Sequence, residues 1–368
     1  MSAEGLPGQD DASTDVGPVC PFSLSLSPIE RLLNLELSYD PVYDGLELQW
    51  FDDDIHGRGL LAFLSRRADR RVDYYLERGL RLDPAGYEIG GGIGSWTETD
   101  FLVARLEIAD DGVDAEVRFT DVDGRSIDVR VDDRDGRRRR RAQLLAPVSA
   151  GIDRPTSLLL VWMSGFDLVR LTSTRPSIRI DGREAAIGRL PGVRLHRRHL
   201  IKYAAPVCAV EVNRSQDGPL PAVGAGKHVE LTADRSGIEA VVLEEGGHRA
   251  RVALDPAVPD IRLLADGATD RGRWEVVVDG ARLTGGAWSA TRDGDQVTLG
   301  LNVTQRWRPG SLPALMRLVT TVVPVFRRWP TTYRWRAVVR LGPVATMSSR
   351  WERIASGGAE GYRSLTRS

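Results

Sequence analysis

The residues best suited to chemistry begin with a run of acids that ends in a histidine, Trp50-Phe-Asp-Asp-Asp-Ile-His56. On a strand, alternate side chains share one face, so Asp52, Asp54 and His56 would lie together. Two carboxylates and an imidazole could bind a metal ion or transfer protons. We favour the simpler interpretation, a polar strand end before a turn at Gly57-Arg-Gly59, because no further ligand pattern lies nearby. Asp52 and His56 are retained as candidate ligand-binding residues, and no metal or cofactor is predicted.

A second candidate is Leu195-His-Arg-Arg-His-Leu-Ile-Lys-Tyr203. His196 and His199 have a spacing that would place both imidazoles on one face of a helix. A metal would need a further ligand, and none is identifiable. The segment could equally be an exposed polar linker. Titratable groups at a domain junction are still reasonable ligand-binding candidates, so both histidines join the candidate set.

A third candidate is the glycine-rich segment Tyr87-Glu-Ile-Gly-Gly-Gly-Ile-Gly-Ser-Trp96. Successive glycines can let backbone N–H groups approach a phosphate. A phosphate loop normally leads into a helix, however, and residues 97–104 are typical of a strand. We therefore favour a glycine-rich strand with a bulge, or a flat surface beside a ligand. Tyr87 and Trp96 complete the set of candidate ligand-binding residues.

Five consecutive arginines, residues 137–141, follow a predicted turn at Gly136. On the returning arm of a hairpin they would lie opposite Asp128, Asp132 and Asp133, so cross-strand charge pairing is the favoured explanation. The alternatives are a site for an anionic ligand or an RNA backbone, which the acidic neighbours weaken, and a docking patch for a partner.

Aromatic residues and arginines are interleaved in the last quarter of the chain. The aromatic members are Trp307, Trp329, Tyr333, Trp335 and Trp351. Such a set could stack on bases or sugars. Because the net charge is only -1 and no nucleic-acid module is recognisable, we favour core packing and predict no nucleic-acid partner.

Composition limits the remaining function classes. The chain has two cysteines, Cys20 and Cys208, too few and too far apart for a disulfide framework or a zinc site. Lysine occurs only at positions 202 and 227, so 48 of the 50 basic residues are arginine, which we attribute to a high-GC bacterial genome. No apolar run is long enough to span a membrane, and a cytoplasmic location is expected. No nucleophile motif is present.

Period-two alternation dominates the chain and predicts an all-β fold. Clear examples are Gly45-Leu-Glu-Leu-Gln-Trp50 and Val113-Asp-Ala-Glu-Val-Arg-Phe119, and the alternating strands are separated by recurrent Asp-Gly turns such as Asp181-Gly182. We expect two antiparallel lipocalin-like half-barrels or β-sandwiches packed together. One helical insertion is expected near 311–328, where Pro324 should kink or end the helix.

The expected organisation has five parts. They are a disordered tail (1–28), an N-terminal β domain (29–190), a linker (191–221), a C-terminal β domain that carries the helix (222–352) and a second tail (353–368).

A fold of this kind can enclose an apolar ligand in a lumen or an interdomain cleft. The sequence therefore suggests binding, or cofactor-free conversion, of an apolar small molecule such as an isoprenoid, a polyketide or a lipid. One alternative is a carbohydrate-binding or carbohydrate-active sandwich, based on nine tryptophans and the acidic run. The other alternative is a non-catalytic interaction protein that docks through its arginine run.

Overall fold

The computed structural model describes residues 18–89, 91–148, 150, 152–171, 174–190, 196–220, 228–308 and 312–354. Strands account for most of these residues and helix for few, which confirms the predicted all-β class. The lipocalin-like detail stays a prediction.

The described strands follow one another in chain order. They are β1 (Leu24–Ile29), β2 (Arg31–Ser38), β3 (Tyr43–Asp53), β4 (Gly57–Arg66), β5 (Val72–Glu77), β6 (Ile93–Thr99), β7 (Val103–Ala109), β8 (Gly112–Thr120), β9 (Ser126–Asp132), β10 (Ala142–Ala146), β11 (Leu158–Arg170), β12 (Ser177–Ile180), β13 (Arg183–Glu184), β14 (Ala186–Ile187), β15 (Arg198–Ala204), β16 (Val207–Val212), β17 (Asp217–Pro219), β18 (Val229–Leu231), β19 (Gly237–Glu245), β20 (His248–Pro259), β21 (Thr269–Val278), β22 (Ala281–Asp293), β23 (Gln296–Gln305), β24 (Tyr333–Arg340) and β25 (Thr346–Arg353).

These strands form three sheets. The large sheet has eleven strands in the order β1-β16-β11-β15-β2-β3-β4-β5-β6, with β10 beside β11 and β14 beside β2. A small sheet has the order β13-β12-β9-β8-β7, and the C-terminal sheet has the order β17-β25-β24-β23-β22-β21-β20-β19-β18. Among the described pairs, β5 and β6 run parallel, whereas the others are antiparallel.

The large sheet is covered on both faces. Alternate residues of β2 to β5, such as Leu33 and Leu48, pack against the small sheet in one core. The intervening residues, such as Leu61 and Tyr74, belong to a second core that continues into the C-terminal sheet. Arg214, just after β16, donates to the backbone carbonyl of Ala85 in the connection between β5 and β6, so opposite ends of the large sheet approach each other.

Asp-Gly turns build the predicted hairpins. Asp181-Gly182 joins β12 to β13 and Asp279-Gly280 joins β21 to β22, and all four residues have positive φ angles. The predicted turn ending at Gly136 does not form a hairpin, because the chain crosses there from the small sheet to β10 of the large sheet.

Two segments that the sequence predicted to be irregular, the linker and the N-terminal tail, contain strands. The segment assigned to a linker, 191–221, contributes β15 and β16 to the large sheet and β17 to the C-terminal sheet. Its glycines, prolines and charged residues masked the alternation of residues 207–212. Likewise, β1 lies mostly within the predicted tail 1–28. Residues 1–17 and 355–368 lie outside the described part of the chain.

The predicted helical insertion is present between β23 and β24. It consists of α1 (Ala314–Val322) and α2 (Pro324–Arg328), and Val323 between them has an extended backbone. The break falls where Pro324 predicted it, because proline cannot donate the hydrogen bond that would continue α1. The proposed cap at position 311 lies outside the described residues.

The arginine run is a charge-pairing element, although not on a hairpin arm. Arg139 and Asp133 are both buried and form a direct ion pair, and Arg139 also donates to the Tyr203 hydroxyl over 3.1 Å. Arg138 is exposed and lies 3.5 Å from Asp110. The buried pair therefore ties the crossing between the small sheet and β10 to Tyr203 on β15 of the large sheet.

Breaking this pair should be costly. Asp133→Asn would leave the Arg139 charge buried, and we expect the free energy of unfolding to fall by about 3–5 kcal/mol. Arg138→Met is the matched control, since its exposed pair should contribute less than about 1 kcal/mol. Urea denaturation measures both, and equal losses in the two variants would contradict the assignment.

Candidate functional site

In the acidic run 52–54, the residue that contacts His56 is not one of the two that a continuous strand would place beside it. Strand β3 ends at Asp53, and the following turn brings His56 Nδ1 to 2.9 Å from the Asp53 carboxylate. The His56 ring also packs on Phe51, with ring centroids 5.2 Å apart. Asp52 is exposed and lies 3.7 Å from Arg58. The structure thus joins His56 to Asp53 rather than to Asp52 and Asp54.

The predicted histidine pair does not form a common face. His199 lies in β15, where burial lowers its pKa against the opposing charge of Asp133. His196 precedes the strand, and its Nδ1 accepts a hydrogen bond from the backbone N–H of Arg198. Helical spacing does not apply here, because the segment from Arg198 onward is strand.

Tyr87 and Trp96, in contrast, are brought together. Their ring centroids are 5.4 Å apart, and both rings contact Tyr74, at 5.6 and 5.0 Å. Tyr74 also contacts Phe63 at 5.2 Å and donates its hydroxyl to the carbonyl of Tyr87 over 2.6 Å. These four residues form an aromatic wall.

The parallel pairing of β5 and β6 explains how Tyr87 reaches the wall. Parallel neighbours cannot be joined by a tight turn, so the connection must return along the sheet. That connection contains a short 3-10 helix, Pro84–Tyr87, whose first turn is capped by Asp83. The predicted bulge is present in β6, where the register with β5 shifts at Gly94. A Cβ at Gly94 would lie 2.4 Å from the Asp73 carboxylate, so the close approach requires glycine.

A polar row continues the aromatic wall across the large sheet. Starting at Trp96 on β6, each residue of the row is the cross-strand partner of the one before it, on β5, β4, β3, β2 and β15 in turn. They are Tyr74, Phe63, Glu47, Asn34 and Lys202. The row lies on the face that points away from the small sheet. Because Glu47 is the cross-strand partner of Phe63, its carboxylate lies directly beside the aromatic wall.

The polar residues of this row hold one another. Glu47 accepts hydrogen bonds from Asn34 Nδ2 over 2.8 Å and from Gln49 Nε2 over 2.7 Å. Lys202 Nζ donates to Asn34 Oδ1 over 3.3 Å and pairs with Glu36 over 3.2 Å. We call the aromatic wall together with Asn34, Glu47, Gln49 and Lys202 the Glu47 site.

The Glu47 carboxyl is largely shielded from solvent. Burial raises its pKa, although hydrogen bonds from Gln49 and Asn34 and the Lys202 charge oppose the shift. Burial, followed by the charges of Glu47 and Asp53, also raises the pKa of Tyr87. Glu47 and Tyr87 nevertheless keep accessible surface. Both side chains are therefore surrounded mainly by protein, while part of each remains open to a small molecule.

Gln49 supplies an unused acceptor at the site. Its side chain is 6% exposed, and its Oε1 atom has no hydrogen-bond partner among the described residues. A buried amide oxygen without a partner costs about 1–3 kcal/mol, so a ligand hydroxyl bound there would recover that energy.

The sequence did not identify Glu47, Gln49 and Asn34. On β3 the polar positions of Gly45-Leu-Glu-Leu-Gln-Trp50 looked like a solvent face, because alternation cannot distinguish solvent from the covered face of a sheet. Lys202 carried a weak signal as one of two lysines in an arginine-rich chain.

The other candidates give no comparable site. In the part of the chain that the structure describes, no group of three or more His, Cys, Asp or Glu could hold a metal ion. Trp307, Trp329, Tyr333, Trp335 and Trp351 are buried, as core packing requires. The carbohydrate alternative stays a prediction, with Trp50 and Trp96 as the two half-buried tryptophans.

Comparisons of the chain with protein-family models, with curated proteins and with solved structures find no match. Within the described residues, no helix has the length and apolar character needed to cross a bilayer. Function must therefore be inferred from the Glu47 site itself.

The raised pKa of Glu47 should make stability depend on pH. Above the ordinary glutamate value of 4.5, the folded chain holds a proton that the unfolded chain has released. The free energy of unfolding of the native chain should therefore fall, relative to Glu47→Gln, as pH rises through this window. Urea denaturation at several pH values measures the difference.

Glu36→Gln is the matched control, because it removes an exposed carboxyl that also neighbours Lys202. Parallel pH profiles for the two variants would show that Glu47 is not specially buried.

Proposed function

We propose that the chain binds an apolar small molecule at the Glu47 site and that Glu47 acts there as a cofactor-free acid–base group. The observation that carries this proposal is a desolvated carboxyl beside four aromatic rings. Isoprenoids, polyketides and lipids are the substrate classes that match an aromatic wall with few polar contacts.

The wall supplies binding energy and orientation. Phe63 and Tyr74 are buried, whereas Tyr87 and Trp96 are half-buried, and ring distances of 5.0 to 5.6 Å within the wall hold the two half-buried rings in place for a ligand. Burial of apolar ligand surface contributes about 25 cal/mol per Å². The free Oε1 of Gln49 would accept from a ligand hydroxyl and so select one orientation.

Glu47 supplies proton transfer. Burial raises the pKa of Glu47 toward neutral pH, so its carboxyl is better suited to exchange a proton than that of an exposed glutamate. The protonated carboxyl would add a proton to a ligand double bond, and the carboxylate would remove a proton from a neighbouring carbon. After both steps the ligand is isomerised, and the Glu47 carboxyl is protonated again. Aromatic faces would stabilise the intermediate cation.

A cytoplasmic, bacterial setting belongs to the same proposal. Cys20 and Cys208 are buried free thiols. Burial raises their pKa to about 11 and about 12, so both stay protonated and unreactive near neutral pH.

Tryptophan fluorescence tests ligand binding. All-trans-retinol, an isoprenoid alcohol that absorbs tryptophan emission, should quench the protein on binding. Trp96→Phe should remove a large part of the quenching and raise the dissociation constant about fivefold, because aromatic contacts are weakened. Native mass spectrometry and solvent extraction of the purified chain should show a bound apolar compound.

Trp50→Phe is the matched control, since Trp50 is also half-buried but packs with the core on the opposite face of β3. Glu47→Gln should keep retinol binding and lose conversion of the natural compound. Absence of both quenching and any extracted compound would refute the proposal, as would equal effects of the two tryptophan variants.

A further inference from the structure

A second cleft lies beside the two helices, apart from the Glu47 site. It has a volume of about 520 Å³ and is lined by four arginines, Arg306, Arg308, Arg317 and Arg327. Among the described residues, no carboxylate lines this arginine cleft. Four like charges around one space repel one another, and an anion bound between them would offset that repulsion.

These arginines differ from most others in the chain. Arg334 and Arg350, on the adjoining strands, both pair with Glu352 at 3.0 and 2.7 Å. Within the described residues, Arg306, Arg308 and Arg327 have no such carboxylate partner, and Arg317 makes only a long contact of 3.4 Å to the Leu312 carbonyl. The guanidinium groups therefore remain available to an external acceptor.

The hydroxyls of the cleft do not compete for the same role. Thr320 donates to the Met316 carbonyl over 2.9 Å, and Thr321 donates to the Arg317 carbonyl over 2.6 Å. Both protons are used inside α1, so the donors that face the cleft are guanidinium groups. Planar guanidinium groups are well matched to phosphate oxygens.

An exposed apolar pair adjoins the cleft. Leu318 and Val322 are 60% and 61% exposed and lie one turn apart on α1, so they share a face. The inner side of the same helix is anchored through Met316, which is buried. Arg317 and Thr321, which line the cleft, are the immediate neighbours of this pair.

Together these features fit a membrane surface. We propose that the arginine cleft and the Leu318–Val322 pair dock the protein on an anionic phospholipid bilayer. The cleft takes a lipid phosphate, and the apolar pair enters the region below the headgroups. A soluble phosphate would use the cleft but leave the apolar pair exposed, so the bilayer accounts for both observations. The proposal does not depend on the Glu47 site.

Vesicle co-sedimentation of the full chain tests the docking. Binding is expected to phosphatidylcholine vesicles that contain phosphatidylglycerol, and not to phosphatidylcholine alone. Each arginine removed should lower the partition coefficient about fivefold, so Arg306→Ser with Arg308→Ser should lower it more than about twentyfold. Leu318→Ser with Val322→Ser keeps every charge and should lower it at least roughly tenfold.

Arg179→Ser with Arg183→Ser is the matched control, because it removes two exposed arginines from the small sheet. This control should bind like the native chain, and the thermal unfolding midpoint of each variant checks that it remains folded. Equal binding by all variants would overturn the proposal. Binding of inorganic phosphate or glycerol phosphate without binding to phosphatidylglycerol vesicles would also overturn it, since the cleft would then serve a soluble ligand.

Discussion

The large sheet is covered on both faces, and this constraint governs every polar residue inside it. A buried polar group away from water must find its partners among its neighbours. Asn34, Glu47, Gln49 and Lys202 meet that requirement almost completely, since each donates to or accepts from another member of the row or Glu36. The one exception, Gln49 Oε1, lies beside the carboxyl on which the proposed chemistry depends.

Local sequence patterns predicted the individual strands, turns and helix break better than they predicted which strands lie side by side. Alternation identified the β class, Asp181-Gly182 and Asp279-Gly280 marked real hairpins, and Pro324 marked the helix break. Topology was less accessible, because the chain leaves the small sheet at Gly136 and later inserts β15 between β11 and β2. Such pairings are set by long-range packing, for which a short sequence window carries no information.

The candidate site shows the same limit. Tyr87 and Trp96 were identified because a glycine-rich segment predicted close backbone approach, and the structure places them in one wall. Glu47 was not identified, because polar residues on an alternating strand are usually exposed. The two proposed sites are linked through the core that joins the large sheet to the C-terminal sheet, where Trp162 and Trp307 lie 6.0 Å apart. Trp307 also lines the arginine cleft.

The parallel pairing of β5 and β6 has a consequence for how this molecule can diversify. The crossover between them brings Tyr87 to the wall but contributes no strand to the described sheets. Insertions or substitutions there would reshape one side of the proposed Glu47 site while leaving the strand registers intact. The ligand preference of the proposed site would thus be able to change under selection at little cost to foldability.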